Sequence, residues 1–139
     1  MFAGLNNSMG KVRSLLAGCW RAITIEPAAE RGKALLKEWL SPEQRTQFEA
    51  TRSFEVVGCH TGKRYRIQYG VATNVFETDE EGCPVTGWCF LPNGSLVAGD
   101  VMLAQKIALE TDEKAALLVA RRFPVNIPRF RRRATHEAC

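Results

Sequence analysis

No apolar run in this 139-residue sequence approaches the ~20 residues that a transmembrane helix needs. The longest candidate, around residues 15–25, is broken by Gly18 and Arg21. A Gly-rich phosphate loop, a G-x-S-x-G elbow and an H-E-x-x-H helix are all missing, so three familiar enzyme signatures have nothing to stand on. Histidine is scarce, with only His60 and His136. Acidic residues are absent from the first 25 positions, where Lys11, Arg13 and Arg21 are the only charges. Lys11 and Arg13 also sit where a secretory signal would carry its apolar core, which points to an intracellular protein, cytoplasmic by default. The same acid-poor, Arg-bearing composition of residues 1–25 suits an organellar targeting segment as a lesser alternative. Five cysteines cannot all pair within one chain, and a reducing compartment leaves most of them as thiols.

What is present suits a single globular domain. Hydrophobic residues make up 45% and charged ones 24%, enough apolar side chain for a core in a chain of this length. The net charge of +4 is unevenly spread. Residues 26–113 hold nine Lys/Arg against fourteen Asp/Glu, whereas residues 114–139 hold seven against one. A polyanion would therefore be met by the ends of the chain before its body.

The clearest structural signal is the segment 63–69, where Tyr65, Ile67 and Tyr69 alternate with Arg64, Arg66 and Gln68. This is the period-2 pattern of a strand with one dry face and one wet face. Around it, residues 54–57, 74–78 and 85–91 read as three more strands, separated by turns at His60-Thr61-Gly62, Gly70 and Asp79-Glu80-Glu81-Gly82. The acidic turn reads as solvated, without the spaced oxygen ligands of a calcium loop. A helix over 27–40 precedes the strands, with Leu35, Leu36, Trp39 and Leu40 as its stripe. Ser41-Pro42-Glu43-Gln44 then combines an N-cap, a proline at N1 and a glutamine able to reach back to the cap amide, which starts a second helix at Pro42. After the strands, Asp100 is expected to cap a helix with Leu103, Ile107 and Met102 facing inward. That helix is interrupted or restarted at Thr111-Asp112-Glu113 and runs on to Phe123. The fold class is α+β: a four-stranded antiparallel meander covered by an N-terminal helical hairpin and a C-terminal helix or broken helix. Residues 1–27 form an accessory basic amphipathic helix or a loose N-terminus, residues 28–123 the domain, and residues 124–139 an extended Arg-rich tail.

Three groups of residues bear on function. Arg121, Arg122, Arg129, Arg131, Arg132 and Arg133 fall within thirteen positions, interleaved with Phe123 and Phe130. Guanidinium groups bind phosphate bidentately and aromatic rings stack on bases, so the mixture suits RNA or single-stranded DNA. Lys63, Arg64 and Arg66 extend that surface if the tail leaves the domain beside their strand. Next, Cys59, His60, Cys83 and Cys89 supply four sulfur and nitrogen donors, the number a structural zinc requires. Their spacing departs from the usual C-x₂₋₄-C pairs, so four independent residues and no cofactor are expected. Neighbours on a strand point to opposite faces, which also argues against Cys59 and His60 acting as a nucleophile and base. Finally, Trp39 and Trp88 lie among apolar neighbours as core or interface anchors. The expectation is a non-enzymatic module that binds nucleic acid or another polyanion. The alternative is a protein-interaction component that docks through its N-terminal helix or a sheet edge.

Overall fold

The computed structural model describes residues 27–126; the expected N-terminal amphipathic helix and most of the Arg-rich tail lie outside them. Helix α1 spans 27–39 and α2 spans Pro42–Thr51. Strands β1 (Ser53–Val57), β2 (Arg64–Gln68), β3 (Val75–Thr78) and β4 (Pro84–Cys89) follow, then helix α3 (Ala98–Val119) and strand β5 (Arg121–Pro124). All strand pairs are antiparallel and the sheet order is β1-β2-β3-β4-β5, so the architecture is α+β with five strands, one more than the sequence suggested. The first four strands form the expected meander, and β5 returns beside β4 after the α3 excursion.

The extra strand replaces the end of the expected helix. Proline at 124 disfavours helical geometry at Phe123, the residue before it, and pushes the chain toward extended conformation. α3 accordingly stops at Val119, and Arg121 to Pro124 pair with β4 from Cys89 back to Thr86. Phe123 secures this pairing. Its ring occupies the space where a side chain on Gly87, its direct partner, would stand.

The start of α2 follows from its sequence. Ser41 Oγ accepts the Gln44 N–H and Gln44 Oε1 accepts the Ser41 N–H, both at 3.1 Å, with Pro42 at the first helical position. The Gln44 side-chain amide also donates to the Glu55 carbonyl at 2.8 Å, while Gln47 Oε1 accepts the Glu55 N–H at 2.9 Å. Two glutamines of α2 thus occupy both outward backbone groups of the central β1 residue, as a neighbouring strand would.

Direct partners across an antiparallel sheet share a face. Phe54, Ile67, Val75 and Trp88 form one row, and Val56, Tyr65, Glu77 and Thr86 the next. Against these rows pack Leu36 of α1 and Leu40 just past its end, Phe48 of α2, and Met102, Leu103, Leu109 and Ala116 of α3. α1 and α3 approach so closely that a Cβ on Gly99 would fall on the Gly32 carbonyl group and the Lys33 nitrogen.

α3 differs from its expected inward stripe. It begins at Ala98, with Asp100 in its first turn and not at the cap. Ile107 is 41% exposed. Met102 and Leu103 are buried as expected, and with Gln105, Lys106, Leu109, Glu113 and Ala116 they make an inward face that includes three polar residues. Each of the three has a partner. Gln105 exchanges two 2.9 Å amide hydrogen bonds with Asn74, and Lys106 pairs with Glu110. The helix breaks where the sequence placed an interruption: Asp112 has φ −150° and ψ 71°, and its carboxylate caps the restart by accepting the Ala115 N–H at 3.2 Å. Two aromatic expectations also change. Tyr69 lies past the end of β2 and is 43% exposed, under the Arg52 guanidinium, and Trp39 is 59% exposed.

The Asn74–Gln105 pair gives a first testable expectation. Gln105→Leu keeps the volume but leaves the buried Asn74 amide without its reciprocal partner, so unfolding should come about 1–3 kcal/mol easier by denaturant titration. The double change Asn74→Leu/Gln105→Leu should recover part of that loss, because neither polar group is then stranded.

Candidate nucleic-acid interface

The sheet face turned away from the helices carries the other set of partner rows. The central one reads Glu55, Arg66, Phe76, Gly87, Phe123. Two residues along β2 toward the β1–β2 turn stands Arg64, and two residues along β5 in the opposite direction stands Arg121, opposite Cys89. The register therefore gathers three of the sequence candidates, Arg64, Arg66 and Arg121, on one face. It sends Arg122, the partner of Trp88, to the other, where its guanidinium approaches Thr86 Oγ1 at 3.5 Å. Arg129, Phe130, Arg131, Arg132 and Arg133 lie outside the described residues.

The three arginines are not equivalent. Arg66 donates to the Gly82 carbonyl at 2.8 Å and lies 3.6 Å from the Glu55 carboxylate, so it ties down the β3–β4 turn with its charge partly matched. Arg64 and Arg121 are exposed, and among the described residues neither side chain has a hydrogen bond or ion pair. By strand spacing and rise they stand about 20 Å apart, on a diagonal across the face. On that diagonal sit Phe76 and Phe123, half-buried, with ring centroids 5.8 Å apart at 84°. Their contact crosses the missing side chain of Gly87. Nothing in the local sequence marks Phe76, because its ring partner Phe123 lies on β5, at the end of a helical pattern.

The zinc candidates are only partly brought together. Cys59 and His60 occupy the β1–β2 turn, where the backbone leaves strand geometry and places Cys59 Sγ 3.4 Å from His60 Nδ1. Cys83 lies at the β3–β4 turn, its N–H bound to Asp79 Oδ1 at 2.7 Å, and Cys89 lies near the opposite end of the sheet. Among the described residues no group of three or more His, Cys, Asp or Glu side chains is arranged to hold a metal ion.

The β1–β2 turn contains a feature the sequence did not disclose. Glu113, the first residue after the helix break, is fully buried beneath it. Its carboxylate accepts the backbone N–H groups of His60 and Thr61 at 2.9 and 2.8 Å, the Thr61 hydroxyl, and the Tyr65 hydroxyl at 2.6 Å. Gly58 passes directly over it, where any Cβ would collide with the carboxyl group. Burial alone would raise the Glu113 pKa, but the Thr61 and Tyr65 hydroxyls and the two backbone donors outweigh it and hold it down to about 2. The Tyr65 phenol moves the other way, pushed well above its ordinary value by burial and by the carboxylate it donates to. With every acceptor direction filled from within the chain, Glu113 is a latch between helix and turn.

No family model, curated protein or solved structure matches this chain. Among the described residues no helix is long and apolar enough to cross a membrane.

Proposed function

We propose that this protein binds nucleic acid or a comparable polyanion across the sheet face turned away from the described helices, with the Arg-rich segment 129–133 adding to the contact. The observation that carries the reading is the register that puts Arg64 and Arg121, whose side chains have no hydrogen bond or ion pair among the described residues, on the same face. A surface arginine without a carboxylate keeps its whole charge for a phosphate, whereas one like Arg66 has part of it already matched. The segment 129–133 adds four arginines only a few residues beyond β5 in the sequence, and no acid lies between Lys114 and His136 to offset them.

Counterion release supplies the test. The affinity for a labelled single-stranded oligonucleotide should fall steeply with salt, by ~0.7 in log–log slope per phosphate contact. Arg64→Ala/Arg121→Ala should weaken binding and flatten the slope by ~1.4, and Arg131→Ala/Arg132→Ala/Arg133→Ala should flatten it by ~2. Unaltered slopes in both variants would remove the reading.

A second reading, docking of a protein partner at the β5 edge, is favoured by Leu118 and Val119. These are 86% and 78% exposed at the end of α3, immediately before that edge strand. It calls for a partner whose affinity barely responds to salt.

A further inference from the structure

We infer that the Phe76–Phe123 pair is a stacking platform for an unpaired base, so that this sheet face selects single-stranded nucleic acid over duplex. This rests on the polyanion reading above and adds to it the class of ligand. The central row of the face is otherwise occupied by charge, with Glu55 and Arg66 as its first two members. Its apolar part is a ring pair brought together across a position with no side chain. Glycine in the middle of a strand has no side chain to pack and weakens the sheet, and here it lets the two rings meet. The exposed arginines Arg64 and Arg121 lie to either side along the diagonal, so a backbone spanning them passes over the rings. A single strand can turn its bases down onto aromatic faces while its phosphates meet guanidinium groups. A duplex keeps its bases stacked inside and presents only phosphate and sugar to a flat face.

The test uses the full chain and three probes: a fluorescein-labelled 12-nucleotide oligo(dT), the duplex of the same length, and heparin, a polyanion without bases. The wild type should bind the single strand at least tenfold tighter than the duplex. Phe123→Leu, which keeps apolar cover over Gly87 but removes the ring, should lose roughly tenfold in oligo(dT) affinity, in line with the stacking contribution of one base. Heparin affinity should stay within twofold, and Phe123→Tyr should restore oligo(dT) binding. Melting curves for both variants separate a lost ring from a lost strand, and Phe76→Leu repeats the comparison from β3 if Phe123→Leu proves unstable. Equal affinity for single strand and duplex, or a Phe123→Leu protein that binds oligo(dT) like wild type, overturns the stacking inference while leaving the polyanion reading in place. Failure to bind any of the three probes overturns both.

Discussion

Glu113→Ala should be the most damaging single substitution in the described part of the chain, lowering stability by about 3–5 kcal/mol and the melting temperature by roughly 10–20 °C. The loss comes less from the missing carboxylate than from what it leaves behind. The N–H groups of His60 and Thr61 and the Tyr65 hydroxyl all point at the vacated site, and Tyr65 is itself buried. Each stranded buried donor costs about 1–3 kcal/mol. Glu113→Gln should recover little, because one oxygen becomes an NH₂ that faces donors. Tyr65→Phe removes a single donor and should cost only about 1–2 kcal/mol, so the ratio of the two effects is itself a check.

Acid should reproduce part of the same damage. The folded-state pKa of Glu113 lies at about 2, below its ordinary 4.5. Its contribution is therefore complete above the ordinary value and disappears as pH falls from there through the folded one. A shift of that size corresponds to about 3 kcal/mol across the window. Chemical denaturation between pH 2 and 6 should show this slope in the wild type and a flatter one in Glu113→Gln. Tyr65 works in the opposite direction. Its raised pKa means that stability present below the ordinary phenol value is lost as pH climbs above it.

Gly99→Ala is the second large effect, and its sign is the informative part. Within a helix this exchange ordinarily stabilises, by ~1 kcal/mol in propensity. Here the new methyl group meets the Gly32 carbonyl carbon and oxygen and the Lys33 nitrogen, backbone atoms of α1 that cannot rotate aside. α1 must move outward, loosening Leu36 and Leu40 from the core, and a net loss of about 1–3 kcal/mol should follow despite the better helix former. Gly32→Ala provides the control. Its nearest obstacle is Val97 Cγ2 at 2.7 Å, a side-chain tip that can turn away, so the cost should be smaller. Urea denaturation of both variants measures the difference, and equal effects would show that the crossing is not what limits the approach.

The parts of the fold that were legible in the sequence are those fixed by near neighbours. Ser41 and Gln44 lie within one turn of each other, so their mutual capping could be read directly. The break at Asp112 and the burial of Tyr65 and Ile67 were local signals of the same kind. The parts that were not legible depend on partners distant in the chain. Gln105 and Glu113 look like ordinary solvated helix residues until Asn74 and the turn at His60 and Thr61 are placed beside them. Ile107 misled for the complementary reason, since hydrophobicity alone cannot locate a stripe half built from paired polar groups. β5 was hidden because the helical pattern runs up to it, and its strand character comes from β4 and the gap at Gly87. The candidate interface shared that fate. Arginine clustering was visible, but sorting Arg121 from Arg122 required a register, and so did finding Phe76.

The unequal ends of the sheet bear on how copies of this protein could meet. At β1, the glutamines of α2 already hold the outward groups of Glu55, so that side offers little to an incoming strand. The other end is β5, a short strand closed by Pro124, a residue without an N–H. A building block that propagates needs two adhesive ends, and among the described residues this sheet has at most one. Two copies joined strand to strand would have to meet β5 against β5, and that union would consume the available edge of both. Edge-to-edge association through the described strands is thus self-terminating: it can make a symmetric pair, and it gives a fibre no way to grow.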